Sequence, residues 1–419
     1  MNQLKQQLAK ILPNWVLSFY HLTLAWVGSV VCGFPSRFLI VIGITGTKGK
    51  TSVAEMVNAI LEEAGYKTAL VNSIRIKIGE ESRDNTMRMS MPGHFYIQRF
   101  LAKALAQDCN VAILEMTSEG ARQHRHRFID LDALVFTNLA PEHIESHGSF
   151  EAYADAKLSI GKQLERSAKR PRTIVANADD KESSRYFALQ VDDKIPFSLA
   201  AVSPSEAGER ASSFTFDGEK ITLQLPGEFS LRNALAAASL AHTLGIRTSV
   251  IARALNKIRV IPGRAERIEL GQPFDVVIDY AHTPDSLLAL YKTYPNKKKI
   301  CVLGAAGGGR DTWKRPVMGR IADEHCGTVI LTNEDPYDED PEAIVEDMAH
   351  AMSKSPEIVM DRREAIRRAL ALAATGDIVL ITGKGTNHEI CGPKGTKIPW
   401  SDKDVVEEEL KQLLRARAS

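Results

Sequence analysis

No Cys-x-x-Cys pair occurs in this 419-residue chain; Cys32, Cys109, Cys301, Cys326 and Cys391 are scattered. That spacing speaks against a zinc site and against a disulfide framework, and it suits a reducing cytosol. An excess of one charge is also missing. The net charge is +1, so no general polyanion partner, nucleic acid included, is implied. Internal repeats and low-complexity tracts are absent too, which removes solenoids and disordered arrays. Charge is lacking altogether between Lys10 and Arg37, and the segment from Trp15 to Cys32 is largely apolar. It is about long enough to span a bilayer, but Ser18, His21, Thr23 and Ser29 make it a poor span. Lys5 and Lys10 precede it as in a signal peptide, yet no small-residue cleavage site follows. The expectation is a helix packed on the domain that follows it. The alternative is membrane-surface contact through residues 14–34, with Trp15, Tyr20 and Trp26 at the interface.

What is present is ordinary in bulk and specific in detail. Charged residues make up 25% and hydrophobic ones 44%, as in a soluble globular enzyme of two or three domains. The telling stretch is Gly43-Ile-Thr-Gly-Thr-Lys-Gly-Lys-Thr-Ser52. It follows the β-branched run Phe38 to Ile42 and precedes an amphipathic run, Val53 to Ala64. Strand, glycine-rich turn and helix start make a phosphate cradle: backbone N–H groups close on the anion and the helix dipole adds to them. Gly46, Thr47, Lys48, Gly49, Lys50, Thr51 and Ser52 are the nucleotide-binding candidates. Lys50 would reach the outer phosphates and the Thr51 hydroxyl would ligate Mg²⁺. Ile44 stands where the strict P-loop pattern has its first glycine, so the loop is a variant.

Beyond the loop, Thr68–Val71, Val111–Leu114, Ala133–Phe136 and Thr173–Ala176 read as buried parallel strands, with helices such as 95–106 between them. Residues 197–225 alternate in part and carry an Asp217-Gly218 turn, which predicts a small antiparallel insert. A helix is expected over 230–244, and Pro262-Gly263 reads as a linker. A second strand series follows at 276–279, 299–303, 328–332 and 378–382. The fold class is therefore α/β. A central P-loop-type, doubly wound, mostly parallel sheet domain (38–261) is followed by a C-terminal Rossmann-like α/β domain (262–419), and a short helical segment (1–37) precedes both.

Chemistry-bearing residues fall at the predicted strand ends. Glu115 closes one strand, where a carboxylate can hold the nucleotide's Mg²⁺. Another strand end supplies Glu142, His143 and His147, and Lys157 follows ten residues after His147.

In order and spacing these segments resemble the Mur ligases, the ATP-dependent family that adds amino acids to peptidoglycan precursors. The matching pieces are Thr45–Thr51, Glu115-Met-Thr-Ser118 with Gln123-His-Arg125, Thr137-Asn-Leu139 with Glu142-His143, and Ala154-Asp-Ala-Lys157. Further along come Asn177-Ala-Asp-Asp180, Asn233–Ala237, Pro262-Gly-Arg264 with Glu266, and Asp279-Tyr-Ala-His-Thr-Pro-Asp285. Gly308-Gly-Arg-Asp311 with Lys314-Arg-Pro316 and Gly383-Lys-Gly385 complete the set, which spans about 340 residues. The Asp279–Pro284 and Lys314–Pro316 segments are most similar to the ligase that adds the third residue. The resemblance implies ATP as the nucleotide and two Mg²⁺ ions, with Thr51, Glu115, His143 and Lys157 as metal-site residues and Lys157 carried as a carbamate. It implies catalytic roles for Lys50, Glu115, His143 and Lys157, and nucleotide contacts for Asn233, Arg264 and Asp279. Ser90, Thr117, Gln123, Arg125, Arg310, Lys314, Glu334, Asp335 and Glu389 would meet the substrates, a UDP-sugar peptide and an amino acid. The implied reaction is attack of a peptide carboxylate on the γ-phosphate, then of an amine on the acyl phosphate. A cytoplasmic location follows, with membrane association as the variant reading and no obligate protein partner.

Departures from the family pattern matter as much. Lys48 replaces the usual Asn, the Thr-Thr-Pro motif reads Ser90-Met-Pro92, and Glu119 stands where the family has a histidine. Ligases for meso-diaminopimelate carry Asp-Asn-Pro-Arg, whereas this chain reads Glu334-Asp-Pro-Tyr337. Tyr337 cannot pair with a distal carboxylate, and Glu334, Asp335 and Asp338 favour a side-chain amine. Two extra residues sit in Gly383–Glu389. The usual domain that binds the UDP moiety does not precede the phosphate loop. Two alternatives therefore stand beside the cell-wall ligase: a ligase on another carboxylate (a lipid-linked muropeptide, a folate or a polypeptide tail), and a non-catalytic nucleotide-binding protein.

Overall fold

A computed structural model describes residues 13–87, 89–142, 144–202 and 204–418. Helix α1 (Asn14–Val31) starts after Pro13 and stops at Gly33, whose φ is 70°. The N–H of Phe34 donates to Ser29 O and that of Gly33 to Val30 O, the paired bonds of a glycine-terminated helix end. Pro35 then turns the chain through a 3₁₀ segment, Pro35–Phe38. The first strand consequently begins at Ile40, two residues later than the apolar run predicts.

Eight strands form the first sheet: β1 (Ile40–Thr45), β2 (Thr68–Val71), β3 (Arg75–Ile78), β4 (Glu81–Asp84), β5 (Val111–Glu115), β6 (Ala133–Phe136), β7 (Thr173–Asn177) and β8 (Asp193–Phe197). Their order is β4-β3-β2-β5-β1-β6-β7-β8. The β2-β3 and β3-β4 pairs are antiparallel and the rest are parallel. Strand β1 lies between β5 and β6, with Ile42 opposite Ile113 on one side and Ala133 on the other. The loop after β1 therefore opens where the winding reverses, the place open α/β sheets bind ligands.

Alternate residues of each strand face opposite layers. Ile42, Ile44, Ile113 and Val135 pack with residues of α2 (Lys50–Glu63), α6 (Gly227–Thr243) and α7 (Thr248–Lys257). Val41, Ala112, Leu114 and Leu134 pack with residues of α3 (His94–Ala106), α4 (Ser118–Arg122) and α5 (Phe150–Glu165). The expected insert is a three-stranded antiparallel sheet: β9 (Ser205–Ala207), β10 (Ser212–Phe216) and β11 (Glu219–Leu223). Asp217 and Gly218, both at positive φ, make its two-residue turn.

The second large sheet holds β12 (Glu266–Arg267), β13 (Asp275–Asp279), β14 (Lys299–Leu303), β15 (Thr328–Leu331), β16 (Glu357–Ile358) and β17 (Ile378–Thr382), in the order β12-β13-β17-β14-β15-β16. It is parallel apart from β12. Helices α8 (Pro284–Lys292), α9 (Lys314–His325), α10 (Pro341–Ala349), α11 (Arg362–Leu372) and α12 (Asp402–Ala418) accompany it, and β18 (Glu389–Cys391) pairs with β19 (Lys397–Pro399). Arg362 and Asp402 form a bidentate pair, side chains 1% and 0% exposed, that ties the start of α11 to the start of α12.

One expectation needs correction. Cys301 on β14 and Cys326 after α9 are joined by a disulfide. They lie 25 residues apart, and the strand–helix return brings their Cα atoms to 6.3 Å, a spacing no short cysteine motif encodes.

Candidate active site

The phosphate loop needs its glycines where the chain is most crowded. A Cβ on Gly46 would lie 2.0 Å from Thr137 Oγ1, and one on Gly49 would lie 2.2 Å from Asn233 Oδ1. Both also sit at positive φ, 143° and 82°, which L side chains resist. Asn138 fixes the loop from β6: its carbonyl accepts from Thr47 N at 2.8 Å and its Oδ1 from Lys48 N at 2.9 Å. The Lys50 ammonium folds back onto Thr47 O at 2.9 Å. Its pKa is lowered by burial, against the pull of Glu115 and Glu142. Gly49 caps α2, so the helix starts at Lys50 and Thr51 and Ser52 lie in its first turn.

Glu115, 3% exposed, gathers the next group. Its Oε2 accepts from Thr51 Oγ1 at 2.8 Å and from Ser73 N at 3.1 Å, and its Oε1 accepts from Ser90 Oγ at 2.7 Å. From across the linker, Arg264 donates to Ser73 Oγ at 3.2 Å while its guanidinium lies over the Tyr280 ring. Asp279 accepts from Ala265 N and Ala281 N, each at 2.6 Å, and so fixes the linker that carries Arg264. Burial raises its carboxyl pKa. Lys157 is 2% exposed and donates to Gly46 O at 2.7 Å. Burial, then the charge of Lys50, lower its pKa well below the ordinary lysine value. His143 lies outside the described residues.

The extra charge of Lys48 is not loose. Its ammonium donates to Glu142 Oε1 at 3.1 Å, and His282 Nε2 lies 3.0 Å from the same oxygen. Asp311 accepts from Ile144 N at 3.0 Å, and Glu145 accepts from Thr312 N at 2.9 Å. These bonds seat the second sheet's loops on the first sheet's site.

The residues expected to hold the acceptor cluster at α4. Thr117 caps that helix, accepting from Gly120 N at 3.2 Å. Arg125 donates to Gln123 Oε1 at 2.6 Å and to Met91 O. Glu119 accepts from Gln123 Nε2 at 2.7 Å, so the departure from the family's histidine is built into this corner.

The residues expected to hold the amino acid divide. Asp335 accepts from the buried Lys384 at 2.7 Å and from Cys391 N at 2.7 Å. Glu389 accepts from Lys397 at 2.7 Å. Glu334 is 5% exposed, and its Oε2 has no hydrogen-bond partner among the described residues. Burial raises its pKa while Lys384, Arg362 and Lys314 act to lower it. Arg310 stacks on Tyr337 and donates to its hydroxyl at 3.0 Å. Lys314 is 5% exposed, with Glu142 and Glu334 nearby in charge.

Sequence reasoning did not single out Ser73, Asn138, Tyr153 (2.9 Å from Thr47 Oγ1) or His282 as site residues. Asn138 and His282 stand inside segments that mark the family, which was the available signal; Ser73 carries none.

The donors around Glu115 fit Mg²⁺. One carboxylate and the hydroxyls of Thr51, Ser73 and Ser90 are all hard oxygens. Among the described residues no three His, Cys, Asp or Glu side chains gather as a metal cage. A cation seated here would complete its shell with nucleotide phosphates and water, as Mg²⁺ does.

A phosphate cradle, a hydroxyl–carboxylate seat suited to Mg²⁺ and an arginine reaching over it from a second α/β unit fit an enzyme that works on a nucleotide. Two family models match the chain: the Mur ligase middle domain over residues 44–241, and the Mur ligase glutamate ligase domain over 263–385. A 2,6-diaminopimelate-adding UDP-N-acetylmuramoyl-L-alanyl-D-glutamate ligase of Syntrophomonas wolfei is 35% identical over 93% of this chain and 81% of that protein. The enzyme of that name from Caldanaerobacter subterraneus is 36% identical over 89% and 78%. Among solved structures, one such ligase aligns with a TM-score of 0.61 at 26% identity, covering 90% of this chain and 79% of that one. A Mycobacterium tuberculosis folylpolyglutamate synthase aligns at 0.72 and 20% identity, over 86% and 92%, and shows the shared fold. The chain belongs to the Mur ligase family, enzymes that form an amide bond driven by ATP.

Proposed function

We propose that this protein adds one amino acid, carrying a side-chain amine, to the terminal carboxylate of a UDP-N-acetylmuramoyl-dipeptide through an acyl phosphate. The convergence of Thr51, Ser90 and Arg264 on the Glu115–Ser73 pair carries the reading, because it joins the phosphate loop, the acceptor-side loop and the second α/β unit at one point. In this reading residues 38–261 form the ATP domain and 262–419 the closing domain. Lys50 and Arg264 bind and orient the phosphates, Asn233 meets the adenine, and Thr117, Gln123 and Arg125 grip the acceptor. Two Mg²⁺ ions, held by Thr51, Glu115, His143 and a carbamylated Lys157, supply charge neutralisation when bound. Asp311 and Glu145 accept hydrogen bonds across the boundary, and closure of the two units there would shield the acyl phosphate from water.

The amine preference rests on Glu334, a buried carboxylate with one oxygen unpartnered among the described residues. Tyr337 offers no charge to a distal carboxylate. The relatives' activity toward diaminopimelate, as their names give it, favours that amino acid as the second reading. Incubation with ATP, the dipeptide precursor and single amino acids separates the two. Product with lysine or ornithine and none with diaminopimelate supports the amine reading; the reverse supports the second. No product with any of them rejects the acceptor.

A further inference from the structure

We infer that the outward face of α1 docks this protein on an anionic lipid bilayer. The helix has two faces. Inward, Gly28 faces α3, where an added Cβ would make ordinary contacts, 3.6 Å from Gln98 and 3.7 Å from His94 O. The His21 ring stacks on His94, and Ser18 bonds His124 at 2.7 Å. Outward, Trp15 (73% exposed), Phe19 (68%), Trp26 (51%) and Val30 (45%) follow one another at spacings of four, seven and four residues, which is one helix stripe. Val31 and Phe38 are also exposed, 68% and 69%. Among the described residues nothing covers this stripe, and contiguous apolar surface of that kind marks an interaction site.

Charge selects the occupant. The first acidic residue of the sequence is Glu55, whereas Lys5, Lys10 and Arg37 flank the helix and no charge lies between the last two. Arg37 shares its charge with Asp130 at 3.3 Å; Lys5 and Lys10 have no acid near them in sequence. A basic flank beside tryptophans and phenylalanine is the pattern of a helix lying in a lipid interface. A symmetric pairing of two copies through this stripe would bring like charges together. The helix lies on the bilayer: at 18 residues it is about 27 Å long, and among the described residues no helix is long and apolar enough to cross. Because the inner face of α1 lines the corner assigned to the acceptor, docking would hold that corner at the lipid surface. This consequence rests on the ligase reading; docking itself does not.

The test is vesicle flotation of the full chain. Vesicles of phosphatidylglycerol mixed with phosphatidylcholine should carry the wild type up the gradient, and phosphatidylcholine alone should carry about tenfold less. The combined variant Trp15→Ser, Phe19→Ser, Trp26→Ser should lose flotation about tenfold while its circular dichroism and ligation of soluble acceptor are unchanged. Lys5→Glu with Lys10→Glu should weaken binding without touching the stripe. Wild type that stays at the bottom overturns the inference. So does equal flotation of the triple variant, or a dimer that the triple variant abolishes while vesicles are ignored. Vesicle binding needs neither ATP nor an amino acid, so its failure leaves the ligase reading intact, and failure of ligation leaves docking intact.

Discussion

Replacing Lys157 with Met keeps an unbranched side chain, one atom shorter, and removes its nitrogen. Lys157 is 2% exposed and donates to Gly46 O. Loss of that bond costs about 1 kcal/mol, offset in part by removing a buried amine beside Lys50. Stability near neutral pH should therefore change by roughly 1 kcal/mol or less. Its pH dependence should change more visibly. Between its lowered native pKa and the ordinary lysine value, the folded amine holds fewer protons than the unfolded one. In CO₂-depleted buffer, wild-type stability relative to the variant should rise with pH through that window and fall as pH drops. Activity is the sharper readout. If Lys157 serves as an anionic carbamate, its loss removes a preorganised group from the charge-bearing site. Turnover should fall about 10²- to 10³-fold, roughly 3 to 4 kcal/mol of barrier. Lys157→Ala, which leaves space, should be partly rescued by short carboxylates. Urea denaturation across pH and coupled ADP release with and without acetate measure these effects. Undiminished turnover of Lys157→Met would refute the role.

Three further outcomes follow from other contacts. Arg264→Ala removes the guanidinium that reaches Ser73 from the second unit; KM for ATP should rise about tenfold, read by initial rates. Arg362→Met leaves Asp402 buried without its cation and should cost about 3 kcal/mol or more in chemical denaturation. His126 is held neutral, its pKa lowered by burial to about 3. Its contribution is present above the unfolded histidine value and is lost as pH falls from about 6.5 toward 3. His126→Phe should flatten that acid slope, by about 5 kcal/mol at most, in thermal melts across pH.

Much of this molecule is legible in the residues because each large sheet is made of short apolar runs ending in polar loops. The Gly43–Ser52 stretch places the phosphate cradle, and Asp217-Gly218 places the insert's turn. Edges were less legible. Pro35 diverts the chain before β1, and Gly49 lets α2 start three residues before the amphipathic run does. Partnerships across the fold were the least legible. The Cys301–Cys326 disulfide depends on a strand–helix return. Asp335 is engaged by Lys384 from a different strand end and Asp338 accepts from Lys394 N, which leaves Glu334 Oε2 as the buried carboxylate oxygen of the 334–338 cluster without a partner among the described residues. Ser73 gains its place from where β2 ends beside Glu115, and nothing in its neighbours announces that.

The central claim is an acyl phosphate formed on the acceptor's carboxylate. The direct measurement labels that carboxylate with a heavy oxygen isotope and follows the phosphate released during one round of amide formation. Transfer of one labelled oxygen to phosphate is the predicted result. Amide formed with unlabelled phosphate would contradict the account.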